Sequence, residues 1–141
     1  MALRKAKETL EYGGYTCVLT DGTSVYTSNL RGVKPLVQFL ESGNIPSGIS
    51  AADKVIGRAT AYLYVLLGVR EVYAQIISEP AAEVLRAKGI YVQYGTLVPN
   101  IINRKGDGIC PFEAAVMEVT EPSLAYEAIL SKMKEMNISI E

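Results

Sequence analysis

The segment EVYAQIISEPAAEVLRAKGIYVQY, residues 71–94, decides the fold. Its first eight residues, Glu71 to Ser78, are apolar on both faces around Gln75, the composition of a strand inside a covered sheet rather than one with a wet face. Ser-Glu-Pro then opens a helix. Ser78 suits an N-cap, and Pro80 suits the first turn because the amide it lacks has no helical partner there. The helix runs from Pro80 to Lys88, Gly89 stops it, and Ile90 to Tyr94 forms a second strand. Strand, helix, strand in so short a space is a βαβ unit, which joins parallel strands.

Outward from that unit, Ala2 to Tyr12 reads as a short helix with Leu3, Ala6 and Leu10 on one face, ended by Gly13-Gly14. Tyr15 to Thr20 and Thr23 to Ser28 form a hairpin, because Asp21-Gly22 supplies the positive φ of a type I′ turn. Cys17, mid-strand beside Val18, reads as a small buried hydrophobe. Val33 to Leu40 is a short helix. The main helix is expected over Ser50 to Leu67, with Ser50 as cap, Asp53 completing a capping box and Gly68 as the stop. Val55, Ile56, Ala59, Leu63, Leu66 and Leu67 make its apolar face. A polar, proline-interrupted connection spans Gly95 to Gly108. Two helices close the chain, one from Pro111 and one from about Pro122 to Met136. The expectation is one α/β domain over residues 1–141, with a mixed sheet of about four to five strands that starts with the N-terminal hairpin.

Composition narrows the function classes. A chain of 141 residues, 49% hydrophobic and 21% charged, has the makings of a packed core. A net charge of −1 with no basic stripe argues against nucleic acid as a partner. The longest apolar run, Ala59 to Gly68, is too short to span a bilayer, and no apolar segment follows the N-terminal charges as in a secretory leader, so a cytoplasmic protein without membrane contact is expected. There is no histidine at all. That removes His-based triads, the usual zinc sites and imidazole acid/base chemistry. Cys17 and Cys110 cannot by themselves close a four-ligand metal site, so neither metal nor cofactor is expected.

The order helix, hairpin, buried helix, central strand, helix, strand resembles the cytidine deaminase-like fold, a three-layer α-β-α sandwich. Its enzymes open one helix with HxE and another with PCxxC, and these residues hold the zinc and its water. Here AAD (Ala51 to Asp53) falls in the first position and PAAEV (Pro80 to Val84) in the second, thirty residues apart from Ala51 to Ala81. The ligand positions would then be Ala51, Ala81 and Val84, which coordinate nothing. SGISAADKVIGRATAYL, GVREVYAQIISEPAAEVLRAKGI and LVPNIINRKGDGICPFEAAV together resemble an uncharacterised bacterial domain family with that fold and without the zinc signature. The resemblance implies the fold and no reaction.

Several residues carry two readings each. Asp53 is either the partner of Ser50 in a capping box or a group that moves protons. Lys54 and Arg58, one helical turn apart, either meet an anion or make a solvated face. Ser78 and Glu79 stand where open α/β sheets present ligands, yet serine there is also a plain cap. In NRKGDGICPFE, residues 103–113, Cys110 precedes Pro111 at a helix N-terminus, which favours thiolate, and Arg104 and Lys105 act in the same direction while Asp107 and Glu113 oppose it. The first functional expectation is therefore a metal-free, deaminase-like domain that takes a small anionic or nucleotide-like ligand in the former active-site cleft, lined by Lys54, Ser78, Glu79, Asn103, Arg104 and Glu113. The alternatives are an enzyme with Cys110 as nucleophile and Asp53 or Glu113 as proton carrier, and a non-catalytic structural or homo-oligomerisation module.

Overall fold

The computed structural model describes residues 2–102, 106 and 108–140. In chain order the elements are α1 (Ala2–Gly13), β1 (Cys17–Thr20), β2 (Val25–Ser28), α2 (Lys34–Ser42), β3 (Ser50–Ile56) and α3 (Arg58–Leu67), then β4 (Glu71–Ser78), α4 (Glu79–Ala87), β5 (Tyr91–Val98), α5 (Pro111–Ala115) and α6 (Pro122–Glu135). The strands form one five-stranded mixed sheet in the order β2-β1-β3-β4-β5. β1 is antiparallel to both β2 and β3, and β3, β4 and β5 run parallel. The expected βαβ unit is thus β4-α4-β5, with β5 running on to Val98 rather than ending at Tyr94.

The alternation of side chains sorts the core into two layers. On one face α1 lays Leu3, Ala6 and Leu10 against Val18, Ala52 and Tyr73. On the other, Cys17, Leu19, Ala51, Val72 and Ala74 meet the main core, which includes Tyr64 and Leu63 of α3 and Leu85 of α4. α6 packs against α3 through Ala125, Ile129 and Met133. Past Asp53 the alternation shifts by one residue. Ile56 and Ile77 turn into the main core, while Val55 and Ile76 are left 41% and 39% exposed.

The expected helix over Ser50 to Leu67 is two elements. Ser50 to Ile56 pairs on both sides, with β1 and with β4, and α3 starts only after Gly57, whose φ of −98° and ψ of 179° are extended. The helical spacing of apolar residues holds from Ala59 onward, within α3. In the preceding seven residues, tertiary pairing overrides it: Ala51 and Ala52 are fully buried on opposite faces, which a strand between two layers allows and an amphipathic helix does not. Ser50 accordingly caps nothing; its hydroxyl donates to Glu71 Oε2 at 2.5 Å.

Candidate functional site

The carboxyl ends of the parallel strands lie level, because Ile56 pairs with Ile77 and Ser78 with Val98. Two helices start from this end of the sheet, α3 after Gly57 and α4 at Ser78, and each presents unpaired backbone amides there.

At the first start, Gly57 has no side chain to cap the helix. The cap comes from far along the chain: Glu113 Oε1 accepts from the Arg58 amide at 2.7 Å and Oε2 from the Ala59 amide at 2.9 Å. Glu113 is 9% exposed. A Cβ built on Gly57 would stand 2.6 Å from its carboxylate carbon, so glycine is what lets the carboxylate approach. A carboxylate at a helix N-terminus also meets the positive end of the macrodipole. The Arg58 side chain is held in the same joint: Nε donates to Val116 O at 3.2 Å, and Nη2 donates to Val119 O at 2.6 Å and to Tyr62 Oη at 3.0 Å. Tyr62 in turn donates to Val119 O at 2.7 Å. Arg58 and Lys54 therefore do not share a helical face. Lys54 is an exposed residue of β3 and Arg58 opens α3.

At the second start the cap is local. Ser78 is fully buried, and its Oγ accepts from the Ala81 amide at 3.2 Å. Glu79 beside it is exposed.

Asp53 sits three residues before the end of β3, between Cys17 of β1 and Ala74 of β4. It is 8% exposed. Tyr64 donates to its Oδ2 at 2.6 Å and the Val55 amide to its Oδ1 at 3.2 Å, while Cys17 Sγ lies 3.3 Å from Tyr64 Oη. Burial pushes the Asp53 carboxyl up to about 7, against the pull of these hydrogen bonds. Burial also raises the Cys17 thiol and the Tyr64 phenol well above their usual values, and the Asp53 charge adds to both shifts. Nothing in the local sequence joins these three residues. On a single helix, Asp53 and Tyr64 would stand roughly 16 Å apart along the axis; only the strand-to-helix corner folds Tyr64 back over the carboxylate.

Cys110 is half-buried at the N-cap of α5 and makes no side-chain cap bond; its amide donates to Ile101 O at 3.1 Å. Asn103 and Arg104 lie outside the described residues, as do Lys105 and Asp107. Among the described residues no hydrogen bond joins Cys110 to Asp53 or Glu113, so the acid/base partners expected for a thiol nucleophile are engaged elsewhere.

The correspondence of AAD with HxE does not survive. Ala51 is the second residue of β3, paired with Leu19 and Val72, six rungs or roughly 20 Å from the level of the Ser78 corner. Ala81 and Val84 do sit in α4, on its buried face. Among the described residues no three His, Cys, Asp or Glu side chains gather closely enough to hold a metal ion. No helix among them is long and apolar enough to cross a membrane.

Residues 5–133 match the family described as "Domain of unknown function (DUF1893)". Among solved structures, the crystal structure of a DUF1893 family protein from Thermotoga maritima is similar at 27% identity, with a TM-score of 0.86 over 93% of this chain and 89% of that one. No curated protein matches the chain.

Proposed function

The chain belongs to the DUF1893 family, and from that premise we propose that it is a metal-free, non-catalytic domain of deaminase-like architecture that acts by binding rather than by turnover. The observation that carries this reading is Glu113. In an open α/β sheet, chemistry is placed at the carboxyl ends of the strands, where helix N-termini offer amides to a substrate. In this chain the amides of Arg58 and Ala59 are already satisfied by a carboxylate of the same chain, and Arg58 is tied to Val116 and Val119. The sheet order, with an antiparallel hairpin beside three parallel strands, supports the deaminase-like architecture.

A second reading keeps a small anionic or nucleotide-like ligand at the rim of the same end. It is favoured by Lys54, exposed near the end of β3, and by Cys110, which opens the helix that delivers Glu113, while the exposed carboxylate of Glu79 opposes an anion and would have to meet a donor group of the ligand. Thermal melting with nucleotides, nucleosides and phosphorylated metabolites separates the two. A saturable rise in melting temperature supports the ligand reading, and no rise with any of them removes it and leaves the first. Stoichiometric zinc in purified protein would sink both.

A further inference from the structure

The two edges of the sheet are unlike. β2 is four residues long, and a short edge offers little to pair with. β5 has eight residues, Tyr91 to Val98, and pairs on its inner side with β4 along its length. Its outer side is the end of the sheet order, and among the described residues no strand pairs with it. The Tyr91 amide donates inward to Arg70 O, so by alternation the amides of Val92 and Tyr94 point outward. Natural edges are normally blunted by charge, proline or cover. Residues 91–98 contain no charged residue and no proline, and Pro99 comes after the last rung. Tyr91 is 60% exposed, with Tyr94 and Leu97 each 38% exposed. The exposed apolar surface continues inward from the edge through Ile76 and Val55, which pair with each other, Ile76 being opposite Thr96.

We propose that β5 is a homodimerisation edge, on which a second copy of this chain lays its own β5 antiparallel so that the two sheets become one. The missing charge suits this occupant, because the usual block to self-pairing of an edge is absent. About a two-fold axis each β5 residue faces another β5 residue, and a strand with no charge meets no like charge in any register. The outward amides and carbonyls of β5, which pair with no strand among the described residues, would satisfy those of the second copy, as in strand addition generally, and the exposed tyrosines supply cross-strand contacts. The inference deepens the binding-module reading by naming its partner.

The test changes charge and leaves the fold's own ladder alone. Gln93 and Thr96 are exposed, so Gln93→Lys with Thr96→Lys puts lysines where the two copies would meet. Wild type is expected to sediment as a dimer at about 100 μM, a concentration that reveals even micromolar affinity. The lysine variant is expected to sediment as a monomer with an unchanged melting temperature, as is the counterpart Gln93→Glu with Thr96→Glu. Mixing the two variants is expected to restore a heterodimer, which a merely damaged fold cannot do. A monomeric wild type, a lysine variant that remains dimeric, or a mixture that stays monomeric each overturns the proposal. None of these outcomes touches the metal-free, non-catalytic reading, which stoichiometric zinc would sink whether or not the chain dimerises.

Discussion

Two strand-to-helix corners lie side by side in this sheet and are closed by opposite means. At Ser78 the residue that ends the strand caps the next helix with its own hydroxyl, reaching the amide of Ala81 three residues on. At Gly57 the corner residue contributes only the room it leaves, and the cap is a carboxylate 55 residues away from Arg58. A local cap forms as soon as the helix does. A distant cap forms only when the whole domain has closed, so it ties α5 and the helix after it to the centre of the sheet. The Gly57 corner therefore reports on tertiary structure, and the Ser78 corner reports on one helix.

The largest expected effect is at the distant cap. Glu113→Ala leaves two helix-terminal amides without their charged acceptor and should destabilise the domain by about 3 kcal/mol, read as the midpoint of urea unfolding. Gly57→Ala drives a Cβ into the same carboxylate, whose end can swing away, so its cost is bounded by loss of the same cap. The two changes should therefore be strongly non-additive, with the glycine substitution costing little once Glu113 is gone. Additive losses would show that the corner does not depend on Glu113.

This contrast is also the line between what the sequence shows and what it hides. The Ser78 corner, the presence of the N-terminal hairpin and the β4-α4-β5 unit are legible because each is set by neighbours within a few residues. The expected type I′ turn, however, is not formed: Thr20 pairs with Val25 across a four-residue loop, and Asp21, outside the positive-φ region, closes it by accepting from the Thr23 and Ser24 amides. Ser50 to Ile56 is not, because its strand state depends on β1 and β4 arriving on either side, and its own residues carry apolar spacing that also fits a helix. Once that segment is misread, Asp53 becomes a cap and Ala51 a lost metal ligand, and the buried Cys17, Tyr64 and Asp53 cluster disappears from view. Glu113 was legible as a candidate site residue. Its target was not, since nothing in PFEAA points to Arg58.

Asp53 sharpens the comparison, being a second long-range contact on the strand that leads into the Gly57 corner. Its folded value of about 7 lies above the ordinary 3.8, so the native state holds a proton that the unfolded chain gives up. The stability this contributes is fully present below the unfolded value and is lost as pH rises through the folded one. Unfolding free energy should therefore fall between those two values and level off above the upper one. Asp53→Asn mimics the protonated acid: its carbonyl accepts from the Val55 amide and its amide donates to the Tyr64 oxygen. The variant should flatten the pH profile and gain about 2 kcal/mol at alkaline pH. A variant whose profile runs parallel to wild type would mean that Asp53 is not the titrating group.

The smallest effect belongs to the local cap. Ser78→Ala removes one neutral hydrogen bond from the Ala81 amide and should cost about 1 kcal/mol, read as the midpoint of urea unfolding. Unlike the change at Glu113, the loss should add independently to Gly57→Ala, since the two corners share no side-chain partner among the described residues. Amide exchange supplies the stricter check. Ser78→Ala should quicken exchange in the first turn of α4 and leave α3 protected, because only the residues after Ser78 depend on that hydroxyl. If α3 and α5 exchange faster as well, the Ser78 corner is coupled to the rest of the domain, and the distinction between a cap that serves one helix and a cap that closes the fold no longer holds.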